Sequence, residues 1–176
     1  MGRTNNSRLG VGTGTSRQGN IKQGTVDAKI NELEKELLLK ELIDKGVKFN
    51  PEDVIFITKD KSGMLIWLET GNEIAGFVHI KKHIKQFIDK HGIKENELEE
   101  HLKFIITNGV LEYFKIVKRK NKDGYERLYS KDGKYYIVAG VGLNGFIVSA
   151  YPLNEKEAKD LIRRNKQLWN KLLKFN

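Results

Sequence analysis

Apolar residues recur along this chain with two periods, and the change from one to the other marks its elements. From Val26 to Asp44, Ile30, Leu33, Leu37 and Leu38 fall at helical spacing with Glu and Lys between them. That pattern predicts an amphipathic helix, stopped at Asp44-Lys45-Gly46. The stretch VIFITKDKSGMLIWLE, 54–69, places two β-rich runs around a Lys-Ser-Gly turn and predicts a hairpin. GFVHIKKHIKQF, 76–87, returns to the helical period. At ~100° per residue, Phe77, Ile80, Ile84 and Phe87 form one apolar stripe, and His79, Lys82, His83 and Gln86 fall opposite it. This second helix is expected to end near His91-Gly92, and a third covers 95–107, with acidic residues in its first turns, where the helix dipole favours them.

The remainder alternates at period 2. EYFKIVKRK, GYERLYS, KYYIVAGV and GFIVSAYP are separated by NKDG, KDG and LNG, turns tight enough to force antiparallel neighbours. A last amphipathic helix, 154–173, carries Leu161, Ile162, Leu168 and Leu172 on one side. The expected fold class is α+β: an antiparallel sheet of about four to six strands, N-terminal helices packed on it and a C-terminal helix. Residues 1–25 are rich in Gly, Ser, Thr, Asn and Arg and read as a flexible leader or linker, leaving 26–176 as a single domain.

Charge narrows the choice of partner. Thirty-two Lys and Arg against 23 Asp and Glu leave a net +9 and a pI near 9.5 over 176 residues. Such an excess must face solvent and points to a polyanion: nucleic acid, an acidic protein or a membrane surface. With no cysteine there is neither a disulfide framework nor a thiolate metal site. No apolar run approaches the ~20 residues of a membrane span, and the N-terminus lacks the apolar centre of a signal peptide.

His79 and His83 have the i, i+4 spacing of two ligands on one helix, but the residue after His79 is Ile80, so the His-Glu-x-x-His zinc pattern is absent. A third ligand would have to be His91, His101 or a distant carboxylate. Metal-free RNA cleavage needs different groups: one to take the 2′-hydroxyl proton, one to give a proton to the 5′-oxygen, and positive charge at the phosphate. Imidazoles perform either proton transfer near neutrality, and a neighbouring lysine supplies fixed charge. His79, Lys82 and His83 offer these on one face. The competing view is that two exposed histidines on a lysine-rich helix only keep it soluble.

In the last strand, period 2 sends Ile147, Ser149 and Tyr151 to one face and Phe146, Val148 and Ala150 to the other. Ser149 and Tyr151 together suit gripping a phosphate or stacking a base. The run 115–134 holds eight Lys or Arg against three acids, with Tyr125 and Tyr129 interleaved, a composition suited to tracking a nucleic-acid backbone with bases stacked on the tyrosines, or to protecting a hairpin edge. AGVGLNG lies between two strands and reads as a turn, not a phosphate loop. Glu69, at a strand end in LETGN, is a reserve candidate for orienting a histidine.

Two stretches taken together, WLETGNEIAGFVHIKKH (67–83) and YYIVAGVGLNGFIVSAYP (135–152), resemble the C-terminal toxin domains of bacterial polymorphic and contact-dependent inhibition toxins in the Barnase/EndoU/colicin/RelE nuclease group. The likeness covers about residues 48–152. It implies a metal-independent endoribonuclease that needs no cofactor, is delivered into a rival cell, acts in its cytoplasm, most often on tRNA, and is neutralised in the producer by an immunity protein. The same likeness makes His79, His83, Ser149 and Tyr151 the site candidates, with Lys82 as the basic residue. Ser149 stands where threonine is more usual, and the leader lacks the VENN motif of many contact-dependent toxins. The expected reaction is 2′-hydroxyl transesterification to a 2′,3′-cyclic phosphate and a 5′-hydroxyl, by a monomer whose immunity partner is acidic. A non-catalytic nucleic-acid-binding module and a phage-associated structural domain are the alternatives.

Overall fold

The computed structural model describes residues 18–118, 120–141 and 144–172. Helix α1 (Gln18–Asp44) begins inside the stretch read as a leader, and residues 1–17 lie outside the described part. The chain divides into two units, residues 1–34 and 35–176. In the first, α1 exposes Val26, Ile30 and Leu33. In the second, α1 continues with Leu37 exposed, Leu38 and Leu39 half-buried and Leu42 buried. Of the four residues expected to form the apolar stripe of α1, Leu38 is half-buried against the hairpin cluster, and Ile30, Leu33 and Leu37 are exposed.

That hairpin is β1 (Val54–Lys59) and β2 (Leu65–Glu69), buried on both faces. Ile57, Leu65 and Trp67 pack with Leu42 on one side, and Phe56, Ile66 and Leu68 join the main core on the other. The second predicted helix is two: α2 (Phe77–Lys81) and α3 (Ile84–His91). Between them Lys82 N and His83 N donate to the carbonyls of His79 and Ile80, i→i+3 bonds that break the α ladder without a glycine or proline. The stripe survives the break: Ile80 and Phe87 are buried, with Phe77 and Ile84 packed beside them. Helix α4 (Leu98–Asn108) follows a short 3-10 turn.

Four strands, β3 (Val110–Val117), β4 (Gly124–Lys131), β5 (Lys134–Val141) and β6 (Ile147–Leu153), form an antiparallel meander in that order. The fold class is α+β. Helices α2 to α4 and the hairpin cover one sheet face, and α5 (Glu155–Leu172) covers part of the other, over Tyr113, Leu128, Ile137 and Leu153. The side chains of Leu168 and Leu172 lie outside the described part.

Three expectations are corrected. Tyr125 and Tyr129 are buried: the first donates to the carbonyls of Gly145 and Phe146, the second to Asp60, so neither can stack a base. Arg127 in the same basic run is buried as well, paired with Asp60. Ile147 does not share a face with Ser149 and Tyr151. Ala139 pairs with Ser149 but Gly140 with Ile147, so Val148 is an extra residue, and this bulge turns Ile147 into the core.

His91 closes α3 against the sheet. Its Nε2 lies 3.2 Å from the Leu153 carbonyl and its ring 4.6 Å from Tyr136, while Nδ1 has no partner. Burial, then the charges of Lys134, His101 and Lys90, overcome the Leu153 carbonyl and push its pKa down to about 4. The unfolded chain binds the proton more readily, so this contribution to stability is complete above about 6.5 and is lost as pH falls toward 4. We expect urea unfolding to show a loss of up to roughly 3 kcal/mol across that window, and His91→Gln to flatten it. An equally steep loss in the variant would contradict the assignment.

Candidate functional site

The site forms where α2 and α3 meet the edge strand β6. The loop before α2 is fixed by two glycines in the left-handed region, Gly71 (φ 64°) and Gly76 (φ 84°). A Cβ on Gly71 would come within 2.1 Å of the Ala75 carbonyl oxygen, and one on Gly76 within 2.9 Å of that of Glu69. The Asn72 side chain accepts from Ile74 N and Ala75 N and closes the turn. Gly76 N then donates to the carbonyl of Val148, the bulge residue, at 3.0 Å. One hydrogen bond thus joins the start of the histidine-bearing helix to the irregularity in β6.

The rings of His79 and His83 lie 5.6 Å apart and nearly perpendicular, and His83 lies 6.2 Å from the ring of Tyr151. All three are half-buried. Nδ1 of His79 stands 2.9 Å from the Glu73 carbonyl oxygen, which accepts its N–H and leaves Nε2 for other work. Nδ1 of His83 lies 3.4 Å from the Gln86 amide. Partial burial first, and then the neighbouring His79, lower the pKa of His83 and favour its neutral form. Burial, with help from the Glu126 carboxylate, raises that of Tyr151, which stays a phenol and a donor.

Ser149 lies two residues before Tyr151 in β6 on the same outer face, opposite Ala139. Among the described residues its hydroxyl has no hydrogen-bond partner, nor has that of Tyr151. Lys82 is exposed, and its ammonium pairs with Glu73 at 3.1 Å rather than standing free. Exposed pairs contribute ~1 kcal/mol or less, so this one holds the ammonium only weakly. Glu69 does not orient a histidine. Its carboxylate accepts from Asn50 N at 3.4 Å, and burial followed by nearby Asp53 raises its pKa against that bond.

His91 and His101, the possible third metal ligands, both engage Tyr136, His101 through a 2.8 Å bond to its hydroxyl. Among the described residues no three His, Cys, Asp or Glu side chains gather closely enough to hold a metal ion. No described helix is long and apolar enough to cross a membrane.

Sequence periodicity does not reveal the far side of this face. Cross-strand pairing aligns Lys115, Glu126, Ala139 and Ser149 in one row, and Tyr113, Leu128, Ile137 and Tyr151 in the next. Tyr113 donates a short hydrogen bond to Glu126, and Glu126 is near enough to Tyr151 to act on its ionisation. Period 2 places Tyr113 with Lys115 and Glu126 with Leu128, but only the register joins them to Ser149. No protein-family model matches the chain, and no curated protein matches it.

Proposed function

We propose that the domain is a metal-independent endoribonuclease, the toxin of a bacterial competition system. The contact of His79, His83 and Tyr151 at the edge of the sheet face that α5 covers in part carries this reading. Two imidazoles in contact, with unlike surroundings, supply the base and the acid that phosphodiester transesterification requires.

His83, favoured as the neutral imidazole, is the base. With the Gln86 amide oxygen turned to accept Nδ1–H, its Nε2 takes the 2′-hydroxyl proton as the 2′-oxygen bonds to phosphorus. His79, whose Nδ1–H is held by the Glu73 carbonyl, gives the proton on Nε2 to the 5′-oxygen as the P–O5′ bond breaks. The products are a 2′,3′-cyclic phosphate and a 5′-hydroxyl. Tyr151 and Ser149 donate to the non-bridging oxygens, and Lys82, released from Glu73, balances their charge. The net +9 suits both a tRNA substrate and an acidic immunity protein.

Incubating the purified protein with total RNA and EDTA, then mapping fragment ends, tests this directly. Fragments ending in 2′,3′-cyclic phosphate and 5′-hydroxyl are expected. Fragments with 5′-phosphates, or intact RNA, would reject the mechanism, and intact RNA that is nevertheless retained would favour the non-catalytic binding module.

A further inference from the structure

On the same outer face as Ser149 and Tyr151, a cleft opens between β3, β4 and α5. It is lined by Tyr113, Lys115, Glu126, Leu161, Arg164 and Asn165 and encloses about 160 Å³. That is below the ~300 Å³ at which small-molecule sites begin, yet ample for a phosphate group. Neither Lys115 nor Arg164 forms an ion pair among the described residues, whereas Lys118 and Lys131 of the same hairpins pair with Asp123 and Asp132. The guanidinium of Arg164 keeps only a 3.3 Å bond from its Nε to the Asp160 carbonyl, and its charge reaches the Tyr113 hydroxyl. Glu126, the one acid in the cleft, is already engaged by Tyr113, so two cations face a single occupied carboxylate.

We propose that Lys115 and Arg164 form a phosphate-binding subsite for the RNA strand, a deepening that rests on the nuclease reading. Lys115 shares its cross-strand row with Ser149 three strand spacings away, about 14 Å. An extended strand with its scissile phosphate at His79 and His83 that follows this row beside α5 places a phosphate a few nucleotides further along in the cleft. This subsite positions substrate and takes no part in proton transfer.

The test is binding of a fluorescein-labelled single-stranded RNA to Lys115→Ala/Arg164→Ala at several salt concentrations. Lys45→Ala/Lys48→Ala, which removes the same charge from the connector after α1, is the control. The cleft variant should bind about 10-fold more weakly, with a salt slope shallower by about 0.7 for each phosphate it no longer neutralises. On a cleavable RNA its KM should rise while kcat stays within about threefold. If the native protein cleaves nothing but the cleft variant still binds more weakly and with a shallower slope, the subsite stands and the catalytic reading falls. Affinity and slope equal to those of the control would overturn the subsite, whether or not the protein cleaves RNA.

Discussion

Asp60→Ala lowers the stability of the domain by about 3–5 kcal/mol, a drop in Tm on the order of 10 °C. Asp60 lies in the β1–β2 turn with its carboxylate buried, and five donors converge on it. Ser62 gives its N–H at 2.9 Å and its hydroxyl at 2.6 Å, Met64 its N–H at 3.1 Å, Tyr129 its phenol at 2.7 Å, and Arg127 a short charged bond. Burial pushes the pKa of this carboxyl up, but Ser62, Tyr129, the Arg127 charge and Met64 together outweigh it and hold the group ionised. Removing the carboxylate strands the guanidinium, which would keep only Ser62 Oγ at 3.1 Å and the face of Phe114 at 4.9 Å, with Nε already unpartnered. A buried charge without its partner costs far more than the pair contributes. Asp60→Asn, which keeps an acceptor but not the charge, should fall between. Urea unfolding at pH 7 measures both, and an Asp60→Ala variant within about 1 kcal/mol of the native domain would show that water reaches Arg127.

The second large effect falls on turnover. His83→Ala should lower kcat by about 10²- to 10⁴-fold, the usual contribution of a positioned base. RNA affinity should hardly change, since a neutral imidazole adds little charge to a domain of net +9. In the native domain, partial burial and the adjacent His79 lower the pKa of His83. The acid limb of the pH profile of kcat/KM should therefore lie below ~6.5, the ordinary imidazole value. Activity is kept on acidification until His83 takes a proton, and is lost below that point. An acid limb at or above ~6.5 would contradict the assignment of His83 as the base.

Local chemistry makes most of the fold legible. Lys131 pairs with Lys134 across a two-residue turn in which Asp132 and Gly133 have φ of 50° and 74°, the conformation that KDG announces. The apolar stripe of the histidine segment is legible for the same reason, because Ile80 and Phe87 answer to spacing alone. What escapes is set by distant partners. The bulge at Val148 is held by Gly76 N, some seventy residues earlier, and nothing within LNGFIVSAYP marks it. Tyr125 and Tyr129 sit among lysines and read as wet, but they flank Arg127, whose counter-charge lies in the hairpin turn. The histidine pair and Tyr151 are legible as candidates. Lys115, Glu126 and Arg164 are not, since only strand register and the seat of α5 bring them to that face.

The most direct measurement is single-turnover cleavage of one tRNA in EDTA by the native domain, His79→Ala and His83→Ala, with RNA affinity measured in parallel. We expect cleavage by the native domain, a fall of at least about 100-fold in each variant, and dissociation constants within about threefold of one another. Undiminished cleavage in either variant, or loss of binding in step with loss of cleavage, would contradict acid–base catalysis by this pair of imidazoles.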